Sequence, residues 1–285
     1  MFLKNYLEAV KPERTFFNVM MAAAGFLLAS KWHIDWALAL AAIAGTSLLV
    51  MSGCLANNAT DTRLDMAMPR TRRRASATGA VPARNLVLLA VVFGVAGLAL
   101  LVVWVNWLTA LLGIIAYVDY VVIYAWTKRT TPWSTLAGTP AGALPLCAGY
   151  TAVVGRFNAT ALALALVMVC WQMVHFYAIG IYRLKDYKAG GLPIWPARYG
   201  LRNTQVWMLA YAVLYLFAIS WLDATGTMGA VFLGSGTLLG LYWLWLGVTG
   251  FRSLQPEKWA RRMFSASLLI LLLLAIDIAA APLLP

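Results

Sequence analysis

Nine apolar stretches of roughly twenty residues divide this chain, at 14–31, 36–57, 86–105, 107–127, 134–154, 159–181, 204–222, 227–250 and 263–281. A stretch of about twenty apolar residues is what a helix needs to cross the hydrocarbon core of a bilayer. Inside lipid the backbone must satisfy its own polar groups, so such runs are helical. The expectation is an all-α, polytopic membrane bundle of nine transmembrane helices, with residues 1–285 forming one integral-membrane domain. The tight links 105–107 and 155–158 predict antiparallel hairpins. With 62% hydrophobic and 11% charged residues, nothing is left over for a water-soluble domain. The first run lacks a small-residue cleavage pattern and reads as a membrane helix rather than a signal peptide.

The charge pattern orients the bundle. With the N-terminus in the cytoplasm, twenty of the twenty-two Lys and Arg residues fall in cytoplasmic segments, and only Lys31 and Arg156 lie opposite. That asymmetry predicts a plasma (inner) membrane protein with its N-terminus inside and its C-terminus outside. It also accounts for the net charge of +12 through orientation and anionic lipid contact, so no nucleic-acid partner is expected. Cys54, Cys147 and Cys170 lie within apolar runs and form no Cys-x-x-Cys pair, so they read as buried thiols.

Two long links, 58–85 and 182–203, are polar, basic and acid-bearing, and this orientation puts both on the cytoplasmic side. Asn57, Asp61 and Asp65 lead into the first. On a continuous helix each four-residue step turns about 40° past a full turn and rises about 6 Å, which aligns the three side chains in a ladder. Two carboxylates so placed repel without a cation between them. Hard oxygen donors of this kind suit Mg²⁺ sharing its shell with phosphate oxygens. Arg70, Arg72, Arg73 and Arg74 follow, with donor forks for phosphate. The combination points to a diphosphate site at the cytoplasmic end of a membrane helix. In the second link Asp186 is expected to prolong the sixth helix before Gly190-Gly191 and Pro193 end it. The bland alternatives are a solvated helix end for the acids and topological charge for the arginines. Asp119 and His175 stand inside apolar runs. Asp119 either lines a pocket or is hydrogen-bonded in the bundle, and a lone histidine such as His175 is more often a hydrogen-bonded core residue than a ligand.

The pattern Asn57-x-x-x-Asp61-x-x-x-Asp65 with Arg70-Thr71 and Arg74 resembles the first aspartate-rich motif of the UbiA-type intramembrane prenyltransferases. The resemblance extends through Lys11-Pro12 with Asn18, Ser52-Gly53-Cys54, Lys128-Arg129, and Gly142-Ala143-Leu144-Pro145 with Gly149-Tyr150. It is most specific in Trp171-Gln172-x-x-His175-x-Tyr177-Ala178-Ile179, leading into Arg183-x-Lys185-Asp186-Tyr187-x-Ala189 and Pro193, which resembles the branch that farnesylates haem. Three positions depart from the pattern. Tyr182 stands where the wider superfamily has an acid, Val174 where a proline often precedes the histidine, and Pro69 lies within the basic tail of the first motif.

The resemblance implies transfer of a farnesyl group from farnesyl diphosphate to a vinyl group of haem B, with addition of water, giving haem O. It also implies a central chamber in the bundle and Mg²⁺ as cofactor. The residues expected to act are Asp61, Asp65, Asp186 and His175. Asn57, Asp61, Asp65 and Asp186 are the expected metal ligands. Asn57, Arg70, Arg74, Lys128, Arg129 and Lys185 are expected at the diphosphate, and His175, Tyr177 and Trp171 at the acceptor. Arg261 and Arg262 are expected only to orient the chain. The implied partners are farnesyl diphosphate, haem B and membrane lipid, with a downstream haem A enzyme or a terminal oxidase as candidate protein partners. Two rivals differ in class: a prenyltransferase with another aromatic or tetrapyrrole acceptor, and a polytopic transporter. The transporter would carry paired broken helices at mid-membrane, whereas the special segments here lie at the cytoplasmic edge.

Overall fold

The computed structural model of the chain describes residues 2–284, without the side chains of Phe2, Leu3 and Lys4, so the topological charge assigned to Lys4 lies outside the described side chains. Among the described residues the regular structure is all helix, with no strand. The order begins with α1 (Phe2–Ala9), α2 (Pro12–Ser30), α3 (Trp36–Thr60), α4 (Thr62–Ala67) and α5 (Ala83–Trp104). It continues with α6 (Trp107–Val118), a π-helical turn (Asp119–Ile123), α7 (Tyr124–Thr130), α8 (Ser134–Ala137), α9 (Thr139–Val154) and α10 (Ala159–Tyr182). The chain closes with α11 (Leu184–Ala189), α12 (Trp195–Leu222), α13 (Ala230–Thr249) and α14 (Pro256–Ala280).

Local signals explain the boundaries. Asp35, Asn106 and Asn158 each stand in a short link and cap the helix that follows. Their side chains accept from the backbone of Ala37 and Leu38, of Thr109 and of Ala161 respectively, satisfying donors that a helix start leaves open. The expected hairpins at 105–107 and 155–158 form around two of these caps. Gly200, with φ 80° and ψ 173°, breaks the start of α12, which places its membrane portion close to the expected 204–222.

Among the described residues, seven helices are long and apolar enough to cross a membrane, where nine spans were expected. The other two are α2 and α9. Helix α9 has 16 residues, about 24 Å at the helical rise against a core of about 30 Å. Helix α2 carries Glu13 and Arg14 in its first turn. The two pack on each other at Gly25 and Gly149, where any Cβ would overlap the Leu146 or the Ala22 carbonyl oxygen. Small residues permit this backbone approach between helices in lipid. Helix α10 is the centre of the bundle and packs against α9, α12 and α14.

Both motif segments contain a break that the sequence did not signal. Helix α3 ends at Asp61, whose φ −94° and ψ 4° interrupt the helix before α4, so the ladder is not one continuous helix. Asp186 does not prolong α10 either, because Arg183 (φ −106°, ψ 15°) ends that helix and Asp186 sits in α11. The two segments share an architecture of long helix, one-residue break and short helix. They also meet, since the backbone at Gly190 lies against the Met68 and Leu64 side chains.

Candidate active site

A chamber of about 560 Å³ opens between α2, α3, the α6–α7 helix, α9, α10 and α14. Leu101, Leu112, Met168 and Leu271 line its apolar part, and Arg14, Arg70, Lys128, Arg183 and Tyr187 line its polar part. Trp171, His175, Tyr177 and Phe264 are also on its wall. A second, smaller cavity of about 380 Å³ lies under α1, lined by Lys11, Arg14, Arg70 and Arg74 among others. Arg14 and Arg70 border both cavities.

The first-motif acids stand in ion pairs beside the chamber. Asp61 is held by Lys128 at 2.5 Å and by Arg129 at 2.7 Å. Asp65 accepts from Arg74 through both oxygens, at 3.0 and 3.1 Å, and its carbonyl accepts from the buried Thr71 hydroxyl. Asn57 accepts from Lys11 Nζ at 3.1 Å, and its own amide nitrogen is buried without a partner among the described residues. Burial, with Arg14 and Arg74 nearby, pulls the Lys11 ammonium down to about 7. Burial and Arg74 also lower the Arg70 guanidinium, and burial raises the Tyr187 phenol.

This arrangement revises two expectations. Asp186 faces Arg183 at 3.6 Å, and no three His, Cys, Asp or Glu side chains among the described residues group closely enough to hold a metal. Asn57, Asp61, Asp65 and Asp186 therefore do not form one cage. In a segment with surplus arginine, each carboxylate takes the nearest cation. Lys185 is almost fully exposed and pairs with Glu257 at 3.7 Å, away from both cavities. Mg²⁺ still fits the donor chemistry, because it is commonly held by one or two carboxylates while phosphates and water complete its shell. Asp61 and Asp65 supply such carboxylates, each paired with a cation.

His175 is held deep in the bundle. Its Nδ1 lies 2.6 Å from Ser267 Oγ, and that hydroxyl donates to the Phe264 carbonyl at 2.6 Å. A hydroxyl has one proton, so Ser267 accepts from His175 Nδ1–H and the lone pair of Nε2 stays free. The ring stacks on Trp171 at 4.7 Å and packs on Phe264 at 5.0 Å. Trp171 is itself pinned by donation to the Ser267 carbonyl. Tyr177 packs on Trp195 and Tyr211.

Other site residues carried no recognisable signal. Arg14, counted only as a topological charge, donates to the Tyr120 hydroxyl at 3.2 Å. Tyr120 stacks on Tyr124 at 5.9 Å, and Lys128 Nζ lies over the Tyr124 ring. The π-helical turn sets this pair on the chamber wall, in keeping with the frequency of such turns at functional sites. Asp119 is hydrogen-bonded in the bundle, accepting from the Ala141 backbone at 3.1 Å and so capping α9 from another helix. An apolar, aromatic chamber with a basic polar end suits a molecule with an anionic head and a long apolar tail.

The UbiA prenyltransferase family matches residues 18–270. Protoheme IX farnesyltransferase 2 of Pseudomonas fluorescens (strain Pf0-1) is 38% identical over 277 residues, covering 97% of this chain and 94% of its own. A digeranylgeranylglyceryl phosphate synthase structure superposes with a TM-score of 0.82 at 15% identity, covering 99% of this chain and 98% of its own. A UbiA homolog from Archaeoglobus fulgidus bound to DMAPP and Mg²⁺ superposes with a TM-score of 0.70 at 13% identity, covering 97% of this chain and 99% of its own. At those identities the two structures show the shared fold.

Proposed function

We propose that this chain, which belongs to the UbiA prenyltransferase family, transfers a farnesyl group from farnesyl diphosphate to a vinyl group of haem B, with addition of water, giving haem O and diphosphate. The observation that carries this reading is His175, with a free Nε2, set among aromatic rings in a chamber whose polar end is basic. Neutral imidazole is a common haem ligand, and the relatives named protoheme IX farnesyltransferase supply the acceptor class.

The chain's residues divide the work. Arg14, Arg70 and Lys128 receive the diphosphate at the basic end and stabilise the charge that develops as the C1–oxygen bond breaks. Mg²⁺, when bound by Asp61 and Asp65, supplies further charge neutralisation on the leaving group. The apolar chamber shields the allylic cation from bulk water until the vinyl carbon attacks. The Tyr120 and Tyr124 rings offer faces that favour a cation. His175 and Trp171 hold the acceptor ring. Water then adds at the other vinyl carbon, leaving a hydroxyethylfarnesyl group.

The contact between the two motif segments supports a nine-span topology. Segments that touch lie on one side of the membrane, and α9, which lies between them in sequence, must cross to bring them there, while α2 runs from Arg14 beside Tyr120 to the turn at Trp32, whose indole donates to the Ala279 carbonyl at the far end of α14. The charge asymmetry then supports a cytoplasmic N-terminus in the inner membrane. Incubation of purified protein with haem B, farnesyl diphosphate and Mg²⁺, followed by mass spectrometry of extracted haem, tests the function. Haem O is the expected product. Unchanged haem with the acceptor and donor both bound would refute it.

A further inference from the structure

We propose that Arg183 and Arg261 form the receptor for the two carboxylates of the porphyrin acceptor, arranged about Tyr182 two helical turns from His175. The proposal rests on haem B being the acceptor. Tyr182 follows His175 by seven residues on α10, so the two share a face and stand about 10 Å apart along the axis. Phe264 of α14 joins them, 5.0 Å from the His175 ring and 5.5 Å from the Tyr182 ring. Two guanidinium carbons lie over the Tyr182 ring at nearly equal distance, Arg183 at 5.2 Å and Arg261 at 5.1 Å. One arginine comes from the end of α10 and the other from α14, one turn before Phe264.

The electrostatics leave this pair available to an anion. Arg261 has no acidic partner among the described residues, and Arg183 has only Asp186 at 3.6 Å, longer than a charge-assisted hydrogen bond. Two planar donor forks are matched to two carboxylates. A porphyrin with its metal at the level of His175 places its carboxylate-bearing edge about as far away as Tyr182. Held by that edge on α10 and α14, the ring runs down past His175 and presents its opposite, vinyl-bearing edge deeper in the chamber.

Soret-band titration of the purified protein with haem B and with its dimethyl ester tests the proposal, because the ester keeps the ring and loses both negative charges. Wild type is expected to bind haem B more tightly than the ester. Arg183→Gln and Arg261→Gln are each expected to weaken haem B binding by roughly tenfold, to leave ester binding unchanged, and to leave the farnesyl diphosphate requirement unchanged. Arg261→Lys should recover part of the loss. Equal wild-type affinity for acid and ester would overturn the receptor, and needs no variant to read. Equal loss of both ligands in the variants would assign the arginines to structure, and a raised farnesyl diphosphate requirement with intact ester discrimination would assign them to the donor. Wild type that binds neither porphyrin would instead overturn haem B as the acceptor.

Discussion

Lys128 Nζ lies 2.5 Å from Asp61 Oδ2 across 67 residues of sequence, and the two side chains are only 8% and 10% exposed. Removing one member of a buried pair strands the other, at a cost of about 3–5 kcal/mol. Asp61→Ala is therefore expected to lower thermal stability in detergent far more than Asp186→Ala, whose partly exposed pair is worth about 0–1 kcal/mol. The milder Asp61→Asn should still insert and should reduce haem O formation by about two orders of magnitude or more. EDTA should abolish wild-type turnover and Mg²⁺ restore it. Near-normal activity of Asp61→Asn, or of wild type in excess EDTA, would remove the metal role.

Arg70 borders both cavities, whereas Arg262 is exposed on α14. Alanine at Arg70 should raise the apparent farnesyl diphosphate requirement by roughly tenfold, the scale of a lost charge-assisted hydrogen bond. Alanine at Arg262 should change it little. Steady-state kinetics on the two variants side by side decides this, and equal small effects would argue against a diphosphate role for Arg70.

His175 is expected to act on the acceptor and Ser267 to orient it. His175→Ala should keep its farnesyl diphosphate affinity and lose haem binding or conversion. Ser267→Ala removes the acceptor for Nδ1–H and frees the tautomer, so its haem affinity should fall by about ten- to a hundredfold, the range seen when an orienting partner of a ligand is removed. Haem titrations of both variants that match wild type would make His175 a structural residue.

A reporter fused after Pro285 should be active only on the side opposite the cytoplasm, and one placed in 68–82 or 190–194 only within it. Activity of the C-terminal reporter in the cytoplasm would refute the orientation. Opposite locations for the two internal reporters would refute the nine crossings.

Much of this molecule is legible in residue order because membrane helices are local objects. Apolar runs mark the seven long membrane helices without knowledge of the fold, and the excess of Lys and Arg on alternate links gives an expected orientation. The motif around Asn57, Asp61 and Asp65 and the segment around His175 likewise point to the family that the comparisons show. What the residue order left open is which distant partners meet. With more arginines than acids in the motif segments, nothing local selects Lys128 for Asp61, Arg74 for Asp65 or Arg183 for Asp186. Asp119 became a cap only when α9 was brought against the π-helical turn, and Arg261 came over the Tyr182 ring only when α14 packed beside α10. Coulomb attraction and aromatic contact act over a few ångströms, so their outcome depends on helix packing, which no spacing along the chain encodes.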